Sequence, residues 1–276
     1  MIHITVVCIR TFSCRVLSVT PPSWHLLPGS HCSGTYQSPI NINTNNVVPD
    51  SNLDAFFLYK SKSMIVIFSS FVLKQLPVKC VLVRNLMEVS GGGLGHDYTI
   101  LEFHFHWGDT SDTSEGSEHT VNSIRYPMEM HIVSKRKDLT LDQALQAPDG
   151  LAVLGFFIET HPTSALTSKT NAWKKLTSYR TTVKVTDDIS IDDLLGDVNR
   201  HEYYRYSGSL TTPLCSEAVV WTIFKESINV DLNLVSYTTI LTTAGSVRGR
   251  SGSVDSTPRH LLWFLLLVRS TGVYFI

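Results

Sequence analysis

Two imidazoles stand two positions apart in Leu101-Glu102-Phe103-His104-Phe105-His106-Trp107, a run whose aromatic content predicts a strand. In a strand, residues i and i+2 share a face, so Glu102, His104 and His106 point one way and Phe103, Phe105 and Trp107 the other. Two side chains about 7 Å apart along a strand can converge on one ion. A second predicted strand, Met128-Glu129-Met130-His131-Ile132-Val133, repeats the pattern with Glu129 and His131 on one face. Three histidines from two neighbouring strands make a three-nitrogen site with an open fourth position. That is the form of catalytic zinc sites, whereas structural sites close all four positions. Glu102 and Glu129, each two residues before a histidine, suit the outer role of accepting the second ring N–H and fixing its tautomer. A bare H-x-H is most often an ordinary pair of satisfied strand histidines; the second strand with its E-x-H is what points to a metal.

The elements that must carry these residues are mostly strands. Thr99–Trp107, Met128–Val133, Leu151–Ile158 and Val219–Phe224 are rich in β-branched and aromatic residues, and Gly91-Gly92-Gly93 and Pro148-Asp149-Gly150 supply turns between them. Helical patterning is confined to Leu139–Gln146 and Thr167–Ser178, and Met64–Leu73 is expected to form a buried strand pair. The expected fold is β-dominated α+β: a single domain around a large twisted, mostly antiparallel central sheet with few short helices. No internal repeat or low-complexity linker divides the chain.

Composition agrees with a folded chain and narrows its partners. The 276 residues are 43% hydrophobic and 17% charged, enough to bury a large core and too apolar for a wholly disordered protein. The 23 basic and 24 acidic residues nearly cancel, which argues against nucleic acid as a partner. The 11 histidines are more than ordinary usage supplies and fit metal or proton chemistry. Cys8, Cys14, Cys32, Cys80 and Cys215 contain no C-x-x-C, which excludes a zinc ribbon or a thioredoxin motif.

The ends carry weaker signals. Residues 1–23 begin apolar, but Arg10 and Arg15 interrupt them, leaving a poor signal-like segment. Near the other end, Ser251-Gly252-Ser253, a polar spacer to His260 and apolar Leu261–Val268 resemble a GPI-attachment signal. A C-terminal strand or an unstructured end is the alternative reading of that stretch. No segment has the roughly 18–20 apolar residues that a membrane-spanning helix needs.

Longer blocks add a family resemblance. Gln37-Ser38-Pro39-Ile40-Asn41-Ile42, Glu102–Gly108, Gly116-Ser117-Glu118-His119-Thr120-Val121, Glu129–Val133, Gly150–Phe157 and Tyr203–Trp221 together resemble an alpha-class carbonic anhydrase. Within that class they are most similar to the membrane-linked, GPI-anchored vertebrate group. The resemblance covers residues 24–54 and 78–232 and implies one catalytic domain over 24–232, with residues 56–77 and the tail 233–276 divergent. It implies Zn²⁺ on His104, His106 and His131, with Glu102 and Glu129 behind them. A hydroxide on the zinc would attack CO₂ to give bicarbonate. Thr211 would orient that hydroxide while donating its own proton to Glu118. Val133, Val153, Leu210, Thr212, Val219 and Trp221 would line the substrate pocket. The group's disulfide falls on Cys32 and Cys215, implying an oxidising, extracellular setting, secreted or on the outer face of the plasma membrane. A monomer acting on a small molecule is expected.

The chain also departs from the family. Leu76-Pro77 stand where the proton-carrying histidine is expected, the closing strands after Leu232 are missing, and Glu102 replaces a glutamine found in most members. An active but proton-limited hydratase is the favoured expectation. A non-catalytic carbonic-anhydrase-like surface module and a zinc-dependent esterase are the alternatives.

Overall fold

The computed structural model describes residues 3–9, 13–19, 21–59, 66–69, 79–82, 87–108, 116–161, 173, 183–185 and 190–231. The chain divides into residues 1–243 and 244–276, and everything described lies in the first unit. Most of the helix expected over Thr167–Ser178, part of the strand pair expected over Met64–Leu73, Leu76-Pro77 and the whole tail fall outside the described residues.

Ten strands build one mixed sheet. Its main path runs β13 (Val183–Val185), β5 (Val66–Ser69), β6 (Lys79–Leu82), β8 (Tyr98–Trp107), β11 (Met128–Arg136), β12 (Leu151–His161), β15 (Val219–Asp231) and β14 (Tyr203–Gly208). Beside this path β7 (Glu88–Gly91) pairs with β8, and β4 (Phe56–Tyr59) pairs with β7. Only β12 and β15 run parallel; every other pairing in this sheet is antiparallel. A smaller sheet joins β3 (Asn41–Ile42), β9 (Thr120–Val121) and β10 (Ile124–Arg125), and β1 (His3–Ile9) pairs with β2 (Ser13–Val19). The fold is the strand-dominated one expected, and all four predicted central strands form.

Period-two alternation separates two apolar clusters across the sheet. Phe103 and Phe105 of β8, Met128, Met130 and Ile132 of β11, Leu154, Phe156 and Ile158 of β12 and Phe224 of β15 enter the larger cluster. Phe156 and Phe224 stack with centroids 4.3 Å apart. Val133, Leu151, Val153, Phe157, Val219, Trp221 and Ile223 enter the other cluster. Fully burying side chains of this size contributes roughly 1.5–3 kcal/mol each before conformational entropy is subtracted. The larger cluster therefore anchors the strands and leaves their opposite faces for other residues.

Two short α-helices are described, α1 (Leu141–Ala144) and α2 (Ile191–Leu195). Each begins with a reciprocal capping box, Thr140 with Gln143 and Ser190 with Asp193. The helix predicted over Leu139–Gln146 is shorter than its pattern because the chain turns at once through Pro148 to Gly150. A Cβ on Gly150 would lie 1.9 Å from the Ala144 carbonyl oxygen, so only glycine permits that closure.

Candidate metal centre

Strand register brings the three histidines together. His131 lies opposite His104, and Glu129 opposite His106, on antiparallel β11 and β8. Ring nitrogens of His104, His106 and His131 all lie within 4.8 Å of one another. The ring centroids are 4.9 Å apart for His104–His106, 5.2 Å for His104–His131 and 4.6 Å for His106–His131. Three imidazoles and no thiolate are a donor set that could hold a metal ion with a position left open. A residue with a side chain would crowd this spot from β12. Gly155 is the register partner of His131, and a Cβ there would lie 2.6 Å from Ile223 Cδ1 and 3.4 Å from Glu129 Oε1.

Glu102 and Glu129 each lie against the histidine two residues on. Glu102 Oε1 is 3.3 Å from His104 Nδ1. Glu129 Oε1 accepts from His131 Nε2 at 2.6 Å, which leaves Nδ1 of His131 to face the cluster. Glu129 is fully buried and accepts three further bonds: the amides of Glu118 and His119 at 2.8 Å each, and His119 Nδ1 at 2.7 Å. Burial raises its pKa, but the facing His119 and His131 outweigh that and hold the carboxyl well below the usual range. The same pairing raises His131 against its own burial. His119, Glu129 and His131 also lie within 4.8 Å of one another. That trio is occupied with its own hydrogen bonds, so the open ligand set is the one containing His104 and His106.

Glu118 reaches the site from a tight loop before β9. The amides of Gly116 and Ser117 both donate to the Tyr126 carbonyl at 2.9 Å, Ser117 Oγ donates to the His119 carbonyl, and Arg125 donates to the Ser117 carbonyl. Glu118 Oε1 is then 3.4 Å from His106 Nδ1, and Oε2 is 4.0 Å from His131 Nδ1. Burial pushes the Glu118 carboxyl up to about 7, with Glu129 adding to the rise and His131 and a hydrogen bond from Thr211 opposing it. A divalent cation beside it lowers this value. In the metal-free protein the folded-state pKa is above its ordinary 4.5. Its stabilising contribution is therefore complete below that value and is lost as pH rises through about 7. Glu118→Gln should raise the melting temperature of metal-free protein clearly at pH 8 and much less at pH 5. Equal effects in calorimetry at both pH values would count against a desolvated Glu118.

Beside the histidines lies an apolar wall. Val133 and Val153 are register partners, as are Val153 and Trp221, and all three are buried together with Val219. Leu210 packs on the same cluster. Thr211 and Thr212 follow on a half-buried loop held by Leu210 N to Ser216 O and Cys215 N to Thr212 O, both 3.0 Å. Cys32 and Cys215, 183 residues apart, form a disulfide that fastens this loop to the N-terminal segment. The sequence reading missed His119 as a working side chain, and Tyr206 with it. His119 lies in the Ser117-Glu118-His119 block, but no local spacing signals its partner, which is 87 residues away.

Residues 19–250 match the family model for the eukaryotic-type carbonic anhydrase. Carbonic anhydrase 15 of Mus musculus is 33% identical over 81% of this chain and 71% of its own length. Carbonic anhydrase 4 of Oryctolagus cuniculus is 33% identical over 76% of this chain and 66% of its own. The carbonic anhydrase-related protein of Homo sapiens is 31% identical over 72% of this chain and 68% of its own.

Proposed function

The chain belongs to the eukaryotic-type carbonic anhydrase family, and from that premise we propose that it is a zinc enzyme that reversibly hydrates CO₂ to bicarbonate. The observation that carries this reading is the convergence of His104, His106 and His131 on one point, with a glutamate behind two of them and a dry wall alongside. Bound zinc supplies a water ionised near neutral pH and a Lewis acid. The protein's own residues do the rest. His104 and His106 bind as neutral donors, and Glu129 holds His131 with Nδ1 forward. Thr211 donates its hydroxyl proton to Glu118, which leaves the Oγ lone pairs to accept a hydrogen bond and orient the nucleophile. Val133, Val153, Leu210, Val219 and Trp221 offer CO₂ a pocket without competing hydrogen bonds, and Thr212 flanks it.

Zinc analysis and stopped-flow CO₂ hydration on the purified protein test this together. Stoichiometric zinc with catalysis supports it. Protein free of zinc and without hydratase activity would instead favour a carbonic-anhydrase-like binding module. Ester hydrolysis without CO₂ hydration would favour the esterase alternative.

Each hydration releases one proton to solvent, and Leu76-Pro77 occupy the region where the family resemblance places a proton-carrying histidine. Proton release is then the slow step. A positioned base typically accelerates such a step by about 10²–10⁴-fold. Turnover should therefore rise tenfold or more as imidazole buffer is increased at fixed pH, while kcat/KM for CO₂ stays flat. A fast, buffer-independent kcat would assign the relay to another residue.

The Cys32–Cys215 disulfide supports an oxidising compartment. The enzyme is placed, as part of the same proposal, outside the cell as a monomer, secreted or held on the membrane by a GPI anchor at its tail.

A further inference from the structure

Glu102 places a carboxylate among apolar neighbours. It keeps 5% of its surface exposed, and its register partners on the two adjoining strands are Val81 of β6 and Val133 of β11. Neither offsets a negative charge. His104 Nδ1 lies 3.3 Å from Glu102 Oε1, but a histidine that binds a metal does so as a neutral ring. Buried charges are kept by partners of opposite sign.

The strand register sets a cation beside it. Lys79 of β6 stands opposite His104, and Cys80 opposite Phe103. Register partners share a face. The period of two therefore puts Lys79 and Val81 on the face of Glu102 and His104, and Cys80 on the face of Phe103, which belongs to the larger apolar cluster. Lys79 and Glu102 are diagonal neighbours, a separation of about 7–8 Å that is within reach of long side chains. On its other side Lys79 has Ser69 of β5 as partner, so β6 is an inner strand here. A lysine inside a sheet is uncommon without an anion beside it. His131 is the diagonal neighbour of Glu102 on β11, and Glu129 already holds it. Among the described sheet neighbours, Lys79 is the lysine or arginine next to Glu102, and Glu102 is the carboxylate next to Lys79.

We infer that Lys79 is a positioning residue for the metal centre, its positive charge balancing Glu102 so that the fold keeps a charged acceptor behind His104. The balance also tempers the site. A carboxylate on the ring of a metal-binding histidine strengthens that ligand, and a cation beside the carboxylate takes part of the effect back. The inference rests on the zinc reading above. It extends the set that organises the site from β8 and β11 to β6.

A double-mutant cycle on the full chain isolates this pairing from general damage. The variants are Lys79→Met, Glu102→Gln and the two together, with Lys79→Arg as the conservative change. Two quantities are read at one neutral pH: the melting temperature of metal-free protein and the rate of zinc release to a chelator. Lys79→Met should melt about 6–12 °C lower, the low end of what removing one partner of a buried ion pair costs in a domain of this size. In the Glu102→Gln background the same substitution should cost less than half as much, because no carboxylate is left to balance. Glu102→Gln should release zinc about tenfold faster, and Lys79→Met about threefold slower, a fraction of that effect with the opposite sign. A lysine that merely supported the fold would speed release when lost. Lys79→Arg should match wild type in both readings. Equal drops in melting temperature in the two backgrounds would overturn the inference, and so would zinc release that is unchanged or faster in Lys79→Met. Should Lys79→Met fail to fold, the double variant decides: folding restored by Glu102→Gln supports the pairing, and a double variant that also fails overturns it. A wild-type protein that binds no zinc would remove the functional reading, while the metal-free cycle still tests the pairing.

Discussion

His104→Ala should leave the protein folded and take away both stoichiometric zinc and CO₂ hydration. Two imidazoles cannot hold the metal as three do, and the loss should exceed the 10–100-fold cost typical of removing an outer partner. His104 is the cleaner probe of the three, because its side chain keeps 14% exposure and water can fill the space. His131→Ala should lose the metal equally but also destabilise the fold. It strips one of four donors from fully buried Glu129. An undercompensated buried charge costs about 3–5 kcal/mol when its partner is removed. Glu129→Gln should fall between wild type and the ligand variants in zinc affinity. Metal analysis of the folded fraction, with hydration rates on the same samples, checks all three. Full zinc occupancy in His104→Ala would mean that the metal sits elsewhere.

These residues differ in how far the sequence exposes them. The Glu102-x-His104-x-His106 and Glu129-x-His131 patterns are legible because a strand has a period of two and each pattern lies within one strand. The same period explains why Phe103 and Phe105 fall in the opposite apolar cluster. What a strand pattern cannot give is register. Nothing local says that His131 faces His104 on one side and Gly155 on the other. Tyr206 is on an edge strand three places from β11 in the sheet, and it meets His119 only because β14 pairs with β15 at Trp221. Helix α1 is legible from the helical patterning of Leu139–Gln146, but its length is set by the Gly150 contact on Ala144. The disulfide, the role of Glu118 and the apolar wall came from family resemblance. Their reach across the chain, 183 residues for the cysteines, is beyond any periodicity.

Breaking the Cys32–Cys215 bond should be the largest single loss of stability available outside the core. The cysteines are 183 residues apart, and closing a loop of that size in the unfolded chain is worth about 5 kcal/mol in the chain-entropy estimate. For a domain of this size, 1 kcal/mol corresponds to roughly 2–4 °C, so Cys215→Ser should melt about 10–20 °C below wild type. The bond also has a local task. It holds the turn in which Leu214 takes φ 84° and Cys215 φ 46°, backbone positions that cost a non-glycine residue energy. His31 N donates to the Leu214 carbonyl at 2.8 Å, and Gln37 Nε2 reaches Glu217 at 2.9 Å and the Cys215 carbonyl at 3.4 Å, so the N-terminal segment and this turn brace each other. Three residues before Leu214 stands Thr211, the hydroxyl proposed to orient the nucleophile. Opening the bond should therefore lower kcat/KM for CO₂ at temperatures where the fold survives, while His104, His106 and His131, held by the central strands, keep their zinc. Scanning calorimetry of wild type and Cys215→Ser, with zinc content and hydration rates at 15 °C, separates the two effects. A melting temperature within a few degrees of wild type would show that the unfolded chain gains little freedom without the bond. An unchanged kcat/KM would show that the turn keeps Thr211 in place by its hydrogen bonds alone.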